Sequence, residues 1–155
     1  MLKTTKVSWF HLGKDPTAGQ GQFLHLRVHC QQVKRMKRFL LADDNPDLRS
    51  ALRLMLETRL DVPLVLEAAD YTGLIDQSLA HHPECLILDW ELPGLDVGNG
   101  LMALRELLPD LKIIVTSTWP EAAEAAMAAQ ADAFVSKTDP PSEILVAIQR
   151  LNGKD

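Results

Sequence analysis

The chain has 155 residues, which is long enough for one domain with a hydrophobic core and too short for two domains of ordinary size. A hydrophobic content of 46%, a charged content of 24% and a net charge of -5 exclude a disordered chain and a membrane-embedded one. No apolar run is long enough to span a bilayer, no secretory signal is evident, and Cys30 and Cys85 form no disulfide pattern, so we predict a cytoplasmic protein without membrane contact.

Residues 1–35 differ from the rest of the chain in charge and in pattern. Residues 1–38 contain eight Lys or Arg against Asp15 alone, so they carry +7 and residues 39–155 carry -12. Because the segment 1–35 has no sustained helix or strand period, we predict a poorly ordered basic leader. Met36 stands directly before the domain-like pattern, so the leader is either part of the protein or untranslated upstream sequence. The acidic domain 36–155 would repel nucleic-acid phosphates and is not expected to bind them directly.

From Lys37 onward, short apolar runs alternate with longer amphipathic segments. This alternation is typical of βαβ units and of a parallel sheet that is covered on both faces. Pro46 and Pro120 stand where helices can begin. We therefore predict an α/β domain with strands at 39–42, 64–67, 85–88, 113–116 and 133–135, and helices at 46–59, 72–81, 100–108, 121–129 and 142–151.

Polar residues follow four of the five predicted strands. Asp43 and Asp44 follow the first strand, Asp89 the third, Ser117 the fourth and Lys137 the fifth. Since loops at the carboxyl ends of parallel strands gather at one edge of the sheet, these side chains are expected to meet. Three close carboxylates need a counter-cation, and a site with only oxygen ligands suits Mg²⁺. A metal, an ammonium and a hydroxyl around a carboxylate predict an aspartyl nucleophile for phosphoryl transfer.

In their order along the chain, these residues resemble the receiver domains of response regulators, the CheY-like phosphoacceptors of two-component systems. The motifs are the acidic pair after the first strand, DWELPG from Asp89 to Gly94, Ser117 after the fourth strand, and Lys137 in ADAFVSK. Each motif alone is common, but all of them in this order are specific. The resemblance covers about residues 37–151. It implies a flavodoxin-like, doubly wound sheet of five parallel strands in the order 2-1-3-4-5.

The resemblance also implies the residues that carry the chemistry. Asp89 looks like the phosphorylated aspartate, which would take its phosphoryl group from a sensor histidine kinase or a phosphotransfer protein. Asp43 and Asp44 look like acids that bind Mg²⁺ together with Asp89 and the backbone carbonyl of Glu91. Lys137 looks like the lysine that pairs with the phosphoryl group.

A conformational switch is the second implication of the resemblance. Ser117 looks like the hydroxyl that senses the phosphoryl group, and Phe134 looks like the aromatic residue that turns when the hydroxyl moves. The surface formed by the fourth helix, the fifth strand and the fifth helix would then contact a downstream protein. The chain is expected to be a phosphoacceptor with self-catalysed phosphorylation and dephosphorylation, and not a multiple-turnover enzyme.

Three functions remain open on the sequence alone. The chain ends at Asp155, just after the last predicted helix, so the first is a stand-alone receiver that signals by protein contact. The second is the receiver part of a DNA-binding transcription regulator. The third is an aspartate-nucleophile phosphatase, because Glu91 stands two residues after Asp89, where that class carries a second acid.

Four positions depart from the family's usual pattern. The loop 93–100 is predicted to be longer than usual, with flexible glycines. Thr138 replaces the proline that commonly follows the lysine, with rearrangement of the fifth loop as a consequence. Thr118 and Trp119 are larger than the residues usual beside the phosphoryl group, and Trp119 is expected to restrict attacking water. Gln130 takes the approximate place of a glycine before the fifth strand.

Simpler structural roles compete with the functional ones at several residues. Asp44 or Asn45 would be suited to capping the first helix. Asp89 would be ordinary in a turn before Pro93-Gly94. His81 and His82 close the second predicted helix and lack a third ligand at metal-binding spacing, so we interpret them as helix-end residues.

Overall fold

The computed structural model describes residues 36–60 and 64–153, so the predicted leader 1–35 lies outside the described residues. One sheet contains β1 (Arg38–Ala42), β2 (Leu64–Ala68), β3 (Cys85–Asp89), β4 (Lys112–Ser117) and β5 (Ala133–Ser136). The strands are parallel, in the order β2-β1-β3-β4-β5. Each strand is followed by a helix: α1 (Pro46–Leu60), α2 (Tyr71–His81), α3 (Val97–Leu107), α4 (Ala122–Ala128) and α5 (Ser142–Asn152). The predicted fold and strand order are confirmed.

Two hydrophobic clusters cover the two faces of the sheet, because successive side chains of a strand point to opposite faces. We name the two faces after the helices that pack on them. The α1/α5 face buries side chains that include Leu41, Ile87, Ile114, Leu56 and Ile148. The α2/α3/α4 face buries side chains that include Leu40, Leu86, Val115, Leu74, Leu104 and Ala126. A buried sheet of this kind holds the carboxyl ends of its strands in a fixed order. In the part of the chain that the structure describes, no helix is both long and apolar enough to cross a membrane.

Helix α3 begins three residues before the predicted start at residue 100, so the prediction of a long loop over 93–100 is wrong. The first turn is held by the Gly100 N–H, which donates to the Asp96 carbonyl at 2.6 Å, and by Asn99 Nδ2, which donates to Asp96 Oδ2 at 2.8 Å. A Cβ at Gly100 would lie 2.6 Å from Leu95 Cδ1 and 3.3 Å from the Tyr71 ring. The glycine therefore permits close packing inside the helix, whereas the sequence pattern indicated a flexible loop.

Among the described residues, two that are not glycine adopt a positive φ, and both follow helices. His82 (φ 46°) follows α2, and its N–H donates to the Ser78 carbonyl at 3.0 Å, so it ends the helix as predicted. Gln130 (φ 67°) follows α4 at the position where the sequence lacks the family's glycine. Because this backbone conformation favours glycine, Gln130 is a strained residue in the connection to β5.

Candidate functional site

The loop of residues 43–45, here called the acid loop, carries two of the predicted acids between β1 and α1. The Asp43 N–H donates to the Ala68 carbonyl at 3.1 Å and so continues the pairing of β1 with β2. Asp43 Oδ1 accepts the Asn45 N–H at 2.9 Å. Asn45 Oδ1 accepts two N–H groups from the first turn of α1, at 3.0 and 3.2 Å. Asn45 therefore caps the helix, and the exposed Asp44 carboxylate is left for another role.

Asp89 is the last residue of β3 and is buried, with 3% of its surface exposed. Its Oδ1 accepts the Glu91 N–H at 3.2 Å, and its carbonyl accepts the Leu92 N–H at 3.2 Å. Asp89 thus begins a turn, as the simpler interpretation proposed, but its carboxylate also faces the acid loop. The turn fixes one carboxylate oxygen and leaves Oδ2 directed at the other charged groups.

The predicted acids and the predicted lysine meet at the carboxyl edge of the sheet. One carboxylate oxygen from each of Asp43, Asp44 and Asp89 lies within 4.8 Å of the others. Lys137 Nζ lies 2.8 Å from Asp43 Oδ2 and 2.8 Å from Asp89 Oδ2. Lys137 pairs with two of the three carboxylates, so among the described residues the site has an excess of negative charge. The oxygen-only donor set and the exposure of Asp44 to solvent fit Mg²⁺.

Burial and ion pairing shift the proton affinities of two of these groups. Burial raises the pKa of the Asp89 carboxyl above its ordinary value, although hydrogen bonds from Lys137 and from the Glu91 N–H oppose the rise. Burial acts to lower the pKa of Lys137, but its hydrogen bonds to Asp43 and Asp89 outweigh this and hold the pKa above its ordinary value. Lys137 is therefore protonated at neutral pH. Burial makes the ionised form of Asp89 less favourable in the folded protein than it is for a free aspartate.

Two adjacent hydroxyls end β4, and they lie on different faces of the sheet. Thr116 pairs in register with Asp89 and, like Ile114 two residues before it, belongs to the α1/α5 face. Its Oγ1 donates to the Leu88 carbonyl at 3.3 Å. Ser117 is fully buried, points to the other face, and its Oγ accepts the Trp119 N–H at 3.0 Å. The sequence did not indicate Thr116 as a site residue, because only strand register distinguishes it from Ser117.

Phe134 lies on the same face of the sheet as Ser117. It pairs in register with Val115, is partly buried, and packs against the α2/α3/α4 face. The predicted partners of the switch therefore share one side of the sheet, while Asp89 and Thr116 share the other. The role of Phe134 as a switch stays a prediction.

An indole and a carboxylate bridge the two loops at the rim of the site. Trp119 Nε1 donates to Glu91 Oε1 at 3.0 Å, although 60% of the Trp119 surface is exposed. Glu91 follows β3 and Trp119 follows β4. The bridge therefore connects the loop after Asp89 with the loop after Ser117. The sequence suggested a steric role for Trp119 but not this hydrogen bond, which joins residues 28 positions apart.

The loop that carries Lys137 is fixed by hydroxyl groups where the family commonly has a proline. The Lys137 N–H donates to the Ser117 carbonyl at 2.8 Å, which continues the pairing of β4 with β5. The Ser136 and Thr138 hydroxyl oxygens lie 2.7 Å apart, and Ser136 Oγ accepts the Thr138 N–H at 3.2 Å. These bonds direct Lys137 toward the carboxylates without a proline at position 138.

A known protein family and a curated protein both match most of this chain. The family described as the response regulator receiver domain matches residues 39–149. The Fimbriae Z protein of Escherichia coli K12 is 28% identical over 114 residues, which are 72% of this chain and 54% of that protein. This chain thus spans about half the length of that curated relative.

Solved structures with the same fold include two response regulators. RcsB from Salmonella enterica serovar Typhimurium, determined bound to the rprA promoter with a phosphomimetic, has a TM-score of 0.67 and 27% identity, over 76% of this chain and 60% of that one. A LuxR-family DNA-binding response regulator from Staphylococcus aureus has a TM-score of 0.69 and 23% identity, over 76% of this chain and all of that one. At that lower identity, the second likeness supports the fold alone.

Proposed function

The chain belongs to the family of response regulator receiver domains, and we propose that it accepts a phosphoryl group on Asp89 from a histidine kinase or a phosphotransfer protein. The observation that carries this proposal is the position of Lys137 Nζ, 2.8 Å from both Asp43 Oδ2 and Asp89 Oδ2. Such an ammonium can move from a carboxylate to a phosphoryl oxygen without leaving the site.

The geometry supports Oδ2 of Asp89 as the attacking atom. Oδ1 is committed to the Glu91 N–H, whereas Oδ2 faces Lys137 and the acid loop. When Oδ2 attacks the phosphorus of a phosphohistidine, the P–N bond breaks and the imidazole leaves with its electron pair. Lys137 then donates to a phosphoryl oxygen, and its charge offsets part of the added negative charge.

Mg²⁺ is the proposed cofactor, held by Asp43, Asp44 and Asp89 with the backbone carbonyl of Glu91 as a further ligand. When bound, it would neutralise charge on the phosphoryl oxygens. The three carboxylates around one ammonium support the assignment, because that excess of negative charge needs a counter-cation.

A two-state switch in β4 and β5 would pass the signal to a partner. Ser117 and Phe134 share the α2/α3/α4 face, where movement of a hydroxyl would leave space for the ring. Thr116 lies opposite Asp89 and is the alternative hydroxyl for direct contact with the phosphoryl group. Ser117→Ala and Thr116→Val distinguish the two. With a beryllofluoride mimic, the variant that lacks the sensing hydroxyl should lose the amide shift changes in α4 and β5, and the other variant should keep them.

A multiple-turnover phosphatase is less well supported than a phosphoacceptor. The acid it would need, Glu91, is exposed and bonded to the Trp119 indole. We therefore propose a single phosphorylation event with self-catalysed dephosphorylation.

The downstream partner is proposed to be a protein that contacts α4, β5 and α5. A second candidate is favoured by two of the relatives: the Fimbriae Z protein is about twice as long as its matched region, and RcsB was determined bound to a promoter. In that case the receiver would control an attached DNA-binding domain, and the coding sequence downstream of residue 155 distinguishes the two candidates. In both cases we place the protein in the cytoplasm, in agreement with a free, buried Cys85.

Intact-protein mass spectrometry after incubation with acetyl phosphate and Mg²⁺ tests the proposal. The wild-type chain should gain the mass of one phosphoryl group, and Asp89→Asn should gain none. Asp110→Asn, which removes an exposed carboxylate at the opposite edge of the sheet, is the matched control and should behave as wild type. A phosphoryl group that persists in Asp89→Asn would contradict the assignment.

A further inference from the structure

The acid loop is held from outside by one side chain of α1. Arg49 NH1 donates to the Asp43 carbonyl at 2.7 Å, and Arg49 Nε donates to Glu67 Oε2 at 3.0 Å. The arginine side chain is only 14% exposed. A single guanidinium thus joins the first turns of α1, the acid loop and β2, and its planar geometry requires both acceptors to keep their places.

Glu67 is a fixed anchor for this arginine. It lies on β2 in register with Leu41, so its side chain is on the α1/α5 face, where α1 packs. Its other oxygen, Oε1, accepts Arg53 Nε at 2.8 Å. Burial acts to raise the pKa of Glu67, but hydrogen bonds from Arg53 and Arg49 lower it below its ordinary value. The anchor is therefore ionised at neutral pH.

The carbonyl that Arg49 holds sets the direction of the two acids. The Asp43 N–H is already bonded to β2, so the bond to Arg49 fixes the other end of the same residue. Since a peptide unit is planar, a fixed Asp43 carbonyl also fixes the position of the Asp44 Cα. Without Arg49, the bond from the Asn45 N–H to Asp43 Oδ1 would still restrain the loop, but the Asp43 carbonyl would lose its partner and the Asp43–Asp44 peptide would rotate more easily.

We propose that Arg49, anchored by Glu67, is a positioning residue that holds the acid loop in the geometry that binds the divalent cation. This inference rests on the proposed function, because it concerns the same site. Arg49 itself contacts neither the cation nor Asp89; it acts through the Asp43 carbonyl. Outer partners of metal ligands commonly contribute about 10- to 100-fold to metal affinity.

The chain offers a matched control for this proposal. Arg53 is also on α1 and also pairs with Glu67, but its other ion pair is with Glu57, at 3.5 Å, and not with a residue of the acid loop. Arg49→Ala and Arg53→Ala therefore each remove one cationic partner of Glu67. Only Arg49→Ala releases the Asp43 carbonyl.

Two measurements on the full chain test the proposal. The first is the dissociation constant of Mg²⁺ by calorimetric titration. It should rise about 10-fold or more in Arg49→Ala and stay within about 2-fold of wild type in Arg53→Ala. The second is hydrogen exchange of the Asn45 amide in metal-free buffer, which should be faster in Arg49→Ala only. Arg49→Lys keeps the charge but cannot hold two acceptors in one plane, so its Mg²⁺ affinity should be closer to that of Arg49→Ala than to wild type.

The outcomes separate this inference from the proposed function. Equal changes of Mg²⁺ affinity in the two alanine variants, or an unchanged Asn45 exchange rate in Arg49→Ala, would overturn the positioning role. A wild-type chain that gains no phosphoryl group would overturn the proposed function, while the exchange rates would still decide whether Arg49 holds the acid loop.

Discussion

The two edges of the sheet use charged residues in opposite ways. At the amino edge, where the strands begin, Glu84 Oε2 accepts the Lys37 and Arg38 N–H groups at 2.8 and 3.2 Å. Arg38 Nε in turn donates to the His82 carbonyl at 2.9 Å. Each of these charges is bonded to backbone. At the carboxyl edge, three carboxylates lie close together and Lys137 pairs with two of them, and no other Lys or Arg of residues 36–60 and 64–153 forms an ion pair with the three.

A second group of charged side chains at the amino edge is also bonded to backbone groups. Arg105 donates to the carbonyls of Leu111 and Gln130 and to Asp132 Oδ2, and that same carboxylate oxygen accepts the Ile113 N–H at 2.7 Å. These bonds join α3 to the starts of β4 and β5. The comparison indicates that charge at the amino edge stabilises the fold, whereas charge at the carboxyl edge is kept for a ligand.

Arg105→Ala should have the largest effect on the stability of the amino edge. The variant loses bonds to two carbonyls and leaves the half-buried Asp132 without its cation, so the free energy of unfolding should fall by about 2–3 kcal/mol. Urea unfolding measures this loss. The fraction of chain that acetyl phosphate modifies should stay at the wild-type value in buffer without denaturant. A large loss of phosphorylation in a folded Arg105→Ala protein would break the division between the two edges.

Asp89→Asn should change stability in the other direction. Because the folded state raises the pKa of Asp89, the protonated carboxyl stabilises the folded state. This contribution is complete below the ordinary carboxyl pKa and is lost as pH rises through the raised pKa. In metal-free buffer at pH 7, the variant should therefore be more stable than wild type by about 1 kcal/mol. Unfolding experiments between pH 4 and pH 7 should show the difference growing with pH. A variant that is less stable at pH 7 would mean that the carboxyl edge is also structural.

Trp119→Phe tests the hydrogen bond at the rim of the site. The ring is kept, but the hydrogen bond to Glu91 is lost. One such bond is worth about 1 kcal/mol, so the phosphorylated form should lose its phosphoryl group about 5-fold faster as the two loops separate more easily. Intact mass recorded over time after removal of acetyl phosphate gives the rate. Glu91→Gln, which retains an acceptor oxygen, should lie closer to wild type.

Gln130→Gly should have the smallest effect. Glycine adopts the positive φ of this position without strain, so the free energy of unfolding should rise by about 0.5–1 kcal/mol. The thermal midpoint should rise accordingly, and phosphorylation should be unchanged. A matched change at Ala129, where φ is negative, should lower stability instead. Equal effects at the two positions would show that Gln130 is not strained.

The strands were predictable because burial on both faces leaves continuous apolar runs such as residues 85–88 and 113–115, whereas their order was implied by the family resemblance. The start of α3 was not predictable, because Gly98 and Gly100 suggest a flexible loop. Only the close approach of Leu95 and Tyr71 explains why residue 100 is a glycine. Local pattern does not contain that information.

The candidate site was predictable as a set of residues but not in its fine geometry. Asp43, Asp44, Asp89 and Lys137 converge as strand ends of a parallel sheet must. In contrast, the choice between Thr116 and Ser117 depends on strand register, which one sequence does not give. The bridge from Trp119 to Glu91 and the bond from Arg49 to Glu67 join residues that are distant along the chain, so no motif indicated them.

The arrangement of Trp90 and Trp119 has an optical consequence. Trp90 follows Asp89, its N–H donates to the Thr116 carbonyl at 2.8 Å, and Trp119 is bonded to Glu91. Both indoles of the described residues therefore lie within the loops that hold the candidate site. Cation binding or phosphorylation of Asp89 should change their emission under ultraviolet excitation, since indole fluorescence responds to nearby charge. The domain would thus report the occupancy of its own site in a stopped-flow instrument, without an attached dye.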